Sequence, residues 1–397
     1  MAIRDCQRLT PRSYAPCVAL GLGLANGTYA EELVYPDFSI PIPAFLNNEH
    51  KDVWLQGAHR GLDRATYQDR DGERLLYRGQ HGQNFVFHNV EFKQEMNIDA
   101  WGGEGCMERA AKLQRVEPIH PAPAPQTAVI VVNTPDSWSF QHFLDRASHV
   151  ITQAAHLSYN KPTPKVLTGR RPSGPVSALW DRMGYSDRVH ETRTQTHAIQ
   201  AASLIWPCRS VLIHPYLSWR IAEMMRMPWA LNTSFNSSKK KTVMYMSRSA
   251  HTLNGGRNVV NEKEVIEAIT AALEQRGQGE TIELFDQDKY SDPQAAIDHF
   301  SNNVLAVVGP HGGALMNHRF AGPGTLVLEF LPTSRLEWLN FEEASLLKQT
   351  YATIIVDPVA GNTGDMVVNP DDVVEMLARH LGVASKETVA QIYPWDV

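Results

Sequence analysis

The sequence predicts an α/β protein of two doubly wound, Rossmann-like halves facing a cleft, with a turn- and strand-rich N-terminal extension. Three observations lead to it. Short uninterrupted apolar runs, such as Ala128-Val129-Ile130-Val131-Val132, have the composition of strands buried on both faces. Between them lie stretches with apolar residues at helical spacing, and strands alternating with helices imply a parallel sheet covered on both sides. Two breaks then divide the chain. Residues 117–126 (EPIHPAPAPQ) cannot lie inside a helix or a central strand. Residues 232–241 (NTSFNSSKKK) separate two apolar segments, and their lysines read as a solvated surface. The expected parts are an extension over 1–116 packed on the first half, a first half over 117–235, and a second half over 236–397 with a C-terminal helix.

In the extension, Leu75-Leu76-Tyr77 and Asn84-Phe85-Val86-Phe87 flank Gly79 and Gly82, which reads as a hairpin. In the first half, the strand 128–132 leads through a polar turn into a helix over 138–156, with Phe143, Ala147, Val150 and Ile151 on one stripe. A short strand at 165–167, a helix over 178–183 stopped by Gly184, and a strand at 210–213 complete it. The second half opens with a strand at 242–246. Asn261 is the expected N-cap of the next helix, with Glu264 as its capping-box partner and Gly277 as its stop. Strands at 281–285, 304–308 and 325–330 alternate with a helix over 293–300 and a short helix from Leu315.

Composition narrows the function. The 397 residues carry 37 basic and 43 acidic side chains, a net charge of −6, so a general nucleic-acid binder with a basic stripe is excluded. Cys6, Cys17, Cys106 and Cys208 contain no C-x-x-C pair, which excludes a zinc ribbon and leaves one or two disulfides or buried thiols. No run reaches the roughly 18–20 apolar residues of a membrane span. Residues 17–25 (CVALGLGLA), after Arg8 and Arg12, have either the outline of a short signal peptide or that of a core element. Asn26, Asn232 and Asn236 open N-x-[ST] sequons. Asp69-Arg70-Asp71 precedes Gly72 and reads as a polar turn.

The chemistry gathers at strand ends. In Gly309-Pro310-His311-Gly312-Gly313-Ala314, a buried strand turns through glycines toward a helix, the form of a phosphate site or of a plain tight turn. It is neither a Walker A loop nor a G-x-G-x-x-G fingerprint. His311 lies within it, and Asn317 is one helical turn on. Glu329, near the end of the next strand, reads either as an acceptor for sugar or ribose hydroxyls or as a surface carboxylate. Ser247-Arg248 and Arg257, close to Asn261-Glu262, suit a diphosphate or a surface salt bridge. His142 and Asp145 fall early in the helix after the strand 128–132, where an imidazole can take a proton from an acceptor hydroxyl. Asp286-Gln287-Asp288 is the D-x-D rival for a metal.

Residues 307–332 (VVGPHGGALMNHRFAGPGTLVLEFLP) resemble the donor-side signature of glycosyltransferase family 61. The segment 245–265, with Ser247-Arg248, Arg257 and Asn261-Glu262, is similar to the family's S-R…R…N-E block, and 138–145 to its aromatic-H-F…D block. The resemblance implies a GT-B fold and a nucleotide-sugar donor, usually a UDP-sugar. It implies inverting transfer of xylose, arabinose or N-acetylglucosamine to a hydroxyl of a glycan or glycoprotein. It assigns donor binding to Arg248, Arg257, Asn261, Glu262, Gly309, His311, Gly312, Gly313, Ala314, Asn317 and Glu329, and catalysis to His142 and Asp145. No cofactor is expected, and no metal is required, because arginines and amides can stabilise the leaving diphosphate. The alternative is a non-catalytic glycan- or nucleotide-binding protein on the same fold. Many members work in the ER or Golgi lumen behind an N-terminal anchor. No anchor is evident in this chain, so a cytoplasmic location is the alternative.

Overall fold

The computed structural model describes residues 3, 6, 15–23, 29–61, 74–92, 128–132, 138–158, 163–191, 199–209, 211–231, 240–248, 255–290, 292–359, 364–383 and 390–391. The Pro-rich break 117–126, most of 232–241, the turns 69–71 and 133–137, Cys106 and the three sequon asparagines lie outside them. Its strands are β1 (Cys17–Gly23), β2 (Tyr29–Val34), β3 (Phe38–Pro41), β4 (Ala44–Phe45), β5 (Arg74–Tyr77), β6 (His81–Phe92), β7 (Ala128–Val132) and β8 (Lys165–Thr168). There follow β9 (Val189–Glu191), β10 (Ile199–Arg209), β11 (Thr242–Tyr245), β12 (Thr281–Leu284), β13 (Val304–Pro310), β14 (Leu326–Pro332), β15 (Thr350–Val356) and β16 (Ala390–Gln391). The chain forms two compact units. One comprises Met1–Phe38, Arg78–Arg226 and Gln391–Val397, the other Ser39–Tyr77 and Met227–Ala390.

The first unit holds a seven-stranded mixed sheet, β1-β2-β6-β10-β7-β8-β9. The strands β10, β7, β8 and β9 run parallel, and β6, β2 and β1 extend the sheet antiparallel from β10. Phe85, Phe87, Val90 and Phe92 of β6 pack with Leu204 and Trp206 of β10 and with Val129 and Leu167. Residues 84–87 in the middle of β6 are buried on both faces, and burial alternates only toward the ends of the strand. The strand expected at 210–213 lies earlier, at β10, because past Arg209 the backbone leaves the ladder: the Val211 N–H donates to Gln153 Oε1 at 3.1 Å. Helix Pro215–Met224 then starts at His214, whose Nδ1 accepts the Tyr216 N–H at 3.1 Å. Residues 17–23 form an edge strand, and Cys6 is bonded to Cys17 at its start.

The second unit holds a six-stranded, wholly parallel sheet, β12-β11-β13-β14-β15-β4. Its strands β13 and β14 are buried along their whole length. Taken in sequence order, β11 to β15 occupy positions 2-1-3-4-5, so the winding reverses between β11 and β13. β4 adds to the far edge through Ala44 and Phe45 opposite Ala352 and Thr353. Helix Asn48–Gly61 follows β4 and is anchored by the buried Trp54, which packs edge-on against Trp338 and Phe341 at 4.8 and 5.2 Å. Helix Glu262–Arg276 buries Val265, Ile269 and Leu273 and ends at Gly277 in the left-handed conformation (φ 65°).

Three further expectations need correction here. β5 and β6 do not pair as a hairpin: β5 lies in a small sheet ordered β16-β3-β5, and β6 in the seven-stranded sheet between β2 and β10. The Asn261 side chain does not cap the helix. Its Oδ1 accepts the Val368 N–H at 2.9 Å and its Nδ2 donates to the Val368 carbonyl at 2.8 Å, so it ties the helix start to a neighbouring segment. Lys240 is not solvated either: it is buried, and its Nζ donates to the Ala321 carbonyl, with burial lowering its pKa to about 7. No helix among the described residues is long and apolar enough to cross a membrane.

Candidate active site

In open parallel sheets, ligands bind at the carboxyl ends of the strands where the winding reverses, because the two connections diverge there and leave a crevice. In the second unit that point lies between β11 and β13. The Met246 N–H donates to the Val308 carbonyl at 2.8 Å, so the two chains leave the sheet side by side. Gly309 permits this: a Cβ on it would stand 2.6 Å from the Met246 carbonyl oxygen. One turn on, a Cβ on Gly312 would stand 2.2 Å from Arg248 Nη1, so the guanidinium lies across the glycine loop. Arg248 Nε donates to the Gly256 carbonyl at 3.2 Å, which fixes the side chain in that direction. The Ser-Arg segment and the glycine loop, distant in sequence, therefore meet.

His311 is buried in this loop, and its Nδ1 lies 2.7 Å from Glu329 Oε1. Glu329 sits in the middle of β14, fully buried. Its Oε1 also accepts from Asn340 Nδ2 at 2.7 Å, and its Oε2 accepts from the Tyr351 hydroxyl. Burial and this carboxylate push the Tyr351 hydroxyl well above its ordinary pKa, so it stays protonated and donating. With its carboxylate so occupied, Glu329 is not placed as an acceptor for sugar hydroxyls; it holds the His311 ring with Nδ1 turned inward.

Arg257 is buried and adopts a left-handed backbone (φ 62°), a conformation few non-glycine residues take. Its neighbour Gly364, also at positive φ, leaves the room: a Cβ there would meet Arg257 Cγ at 3.3 Å and Pro332 Cγ at 3.4 Å. A third guanidinium, which no sequence motif marks, joins them. Arg335 follows β14, and its N–H donates to the Pro332 carbonyl at 2.9 Å. Burial and the charges of Arg257 and Arg335 lower the Arg248 pKa to about 10. Burial and Arg335 lower that of Arg257 too. Such mutual repulsion marks a place that attracts an anion. The available signal was a basic residue just past a buried strand's carboxyl end.

The remaining candidates serve the frame. Residues Gly313–Asn317 form a single 3₁₀ turn that passes into the short helix His318–Ala321. Gly313 and Ala314 thus contribute loop backbone rather than the start of a long helix. The Asn317 side chain closes this turn by donating to the Ala314 carbonyl at 2.7 Å. Glu262 accepts the Ser247 hydroxyl at 2.9 Å and so steadies the segment before Arg248. Asn261 is occupied by Val368, as above. Asp286 accepts the Asp288 N–H at 3.0 Å and caps its own turn.

In the first unit, the helix after β7 begins at Phe140, passes through a π-helical turn over Phe143–Ala147, and continues as Ser148–Ala154. The wider turn carries Asp145, and His142 sits at its N-terminal boundary. Such π turns occur often at functional sites. His142 Nδ1 is 3.4 Å from Asp145 Oδ1, and Arg146 Nε is 3.9 Å from the same oxygen. The His142 side chain is 30% exposed and that of Asp145 1%. The imidazole is therefore the more exposed member of the pair and the carboxylate the buried one.

Residues 140–328 match the family described as Glycosyltransferase 61. Comparison with curated proteins gives no match. Among solved structures, a mutant of a flavo di-iron protein from Thermotoga maritima aligns at 11% identity with a TM-score of 0.25, covering 93% of this chain and 100% of that one. The family match takes in the His142–Asp145 turn, Arg248, Arg257 and the whole glycine loop, and it supports membership of glycosyltransferase family 61.

Proposed function

We propose that the chain is an inverting glycosyltransferase of the GT-B type. It moves xylose, arabinose or N-acetylglucosamine from a UDP-sugar to a hydroxyl of a glycan or glycoprotein. The observation that carries the reading is Arg248 lying across Gly312 where the winding of the second sheet reverses. Inversion is a direct displacement. The acceptor oxygen attacks the anomeric carbon while the bond to the diphosphate breaks, so one group must take the acceptor proton and another must meet the charge that develops on the leaving group.

Arg248 and Arg257 are the forked donors for the diphosphate, with the backbone of residues 309–314 shaped to let it approach. His311, held by Glu329, presents its other ring nitrogen away from that carboxylate. His142 takes the acceptor proton, and Asp145 orients its ring. These residues perform the displacement without a divalent metal. The family's usual compartment, the lumen of the secretory pathway, is the location that goes with a glycoprotein or glycan acceptor.

The test is a panel of UDP- and GDP-sugars followed by thermal unfolding and then by turnover. A UDP-sugar at a hundred times its Kd stabilises by about 2.7 kcal/mol through mass action. No shift with any nucleotide sugar would overturn the reading. Turnover is expected to survive EDTA. A complete loss restored by manganese would instead assign Asp286 and Asp288 to a metal. Retention at the anomeric carbon, read by NMR of the first product, would overturn the displacement.

A further inference from the structure

We propose that Glu337 is a placeholder for the ligand's phosphate: it pairs with Arg335, and a diphosphate bound at the arginine cluster takes Arg335 over from it. The inference rests on the nucleotide-sugar reading above and adds a residue pair to its donor site.

Arg335 lies in the turn after β14, alongside Arg257, because Pro332 and Arg257 flank the same glycine, Gly364. Its Nε is 2.7 Å from Glu337 Oε1, and the two side chains are 54% and 34% exposed. An exposed pair of this kind contributes little and exchanges readily. Two further carboxylates among the described residues act on the cluster, Asp365 on Arg248 and Glu329 on Arg257, and both are also held by other groups. Glu329 holds His311, Asn340 and Tyr351. Asp365 accepts from the Asn258 backbone and amide at 2.8 and 3.1 Å. Glu337 acts electrostatically on Arg257 as well, so one carboxylate serves two guanidiniums that repel each other. A diphosphate offers several acceptor oxygens and more charge, and guanidinium groups bind phosphate in forked pairs. It therefore competes well for a group that Glu337 holds with one contact.

The experiment is calorimetry on the full chain with UDP, inorganic pyrophosphate and uridine. Arg335→Ala is expected to weaken UDP and pyrophosphate about tenfold, as for a lost charged hydrogen bond. Glu337→Gln is expected to tighten both by about threefold, the scale of an exposed ion pair. In the Arg335→Ala background Glu337→Gln should give a smaller gain, since Glu337 holds Arg335 by direct contact and reaches Arg257 only electrostatically, and uridine binding should not change in any variant. If Arg335→Ala binds normally while Arg248→Ala binds weakly, the exchange is wrong and the donor site stands. Tightening that persists undiminished in the combined variant would likewise overturn the exchange and leave the donor site standing. If Arg248→Ala also binds normally, the donor-site reading itself fails.

Discussion

In the second unit the polar side chains of the candidate site come from six separated segments: Ser247-Arg248, Arg257, the glycine loop, Glu329 with Arg335, Asn340, and Tyr351. Each follows or faces a strand of one parallel sheet. In the first unit the candidate pair is local, His142 and Asp145 on one helix, 3.4 Å apart across a π turn. The difference has a physical consequence. A site assembled across a sheet is coupled to the packing of that sheet, because its buried carboxylate is also a fold-stabilising acceptor. A local pair on one helix can lose its chemistry while its unit stays folded.

The largest effect should separate chemistry from binding. His142→Ala is expected to lower kcat by about a hundred- to ten-thousand-fold, the scale of general-base loss, with UDP affinity unchanged by calorimetry. Near-normal turnover in His142→Ala, with strong loss in Asp145→Ala, would move the base to Asp145 and give the first unit a buried site like that of the second.

Glu329→Gln should show the opposite behaviour, with stability and nucleotide binding failing together. An amide cannot accept from His311, Asn340 and Tyr351 as a carboxylate does, and a hydrogen bond to a charged group is worth about 1.5–3 kcal/mol. Denaturant unfolding reads this directly. A variant as stable as the parent would show that the hydrogen bonds of Glu329 are not coupled to the packing of the sheet.

Arg248→Ala and Arg257→Ala should each weaken UDP by about 1.5–3 kcal/mol, the worth of a charged hydrogen bond, with little effect on unfolding for the partly exposed Arg248. Unchanged affinity in both would remove the diphosphate from the cluster.

The smallest effect per pH unit is one the two units share. Burial lowers the pKa of His214 in the first unit to about 3 and of His318 in the second to about 4. Both are neutral when folded and take a proton on unfolding below the ordinary value of about 6.5. The unfolded chain then binds more protons than the folded one. Stability is complete above that value and falls as pH drops toward the folded pKa values, by about 1.4 kcal/mol per pH unit for each group. Unfolding midpoints at pH 7 and pH 5 check it; equal midpoints would show that neither ring is held neutral.

Several features were legible from the chain alone because their signals are local. Continuous apolar runs locate β7, β11 and β13, since strands buried on both faces need no alternation. Glycines between a strand and a turn locate the loop 309–314, since only a residue without Cβ lets Gly309 approach Met246 so closely. The three family blocks overlap residues 140–328, which match the family described as Glycosyltransferase 61. The tertiary structure alone decided the rest, because it depends on partners distant in sequence. The apolar two-residue run of β4 gave no sign that it would pair with β15, as strand pairing is set by available backbone groups and not by composition. Asn261 has the residue type of a cap, but the Val368 backbone offered it a better match for both ends of its amide. Lys240 looked solvated within a polar run until the fold placed the Ala321 carbonyl beside it. Glu329 could be read as a ligand acceptor only while its neighbours were unknown, and Arg335 carried no motif at all. Which polar group meets a ligand and which is spent on the frame is fixed by the hydrogen-bond partners that folding supplies, and a buried polar group takes those partners first.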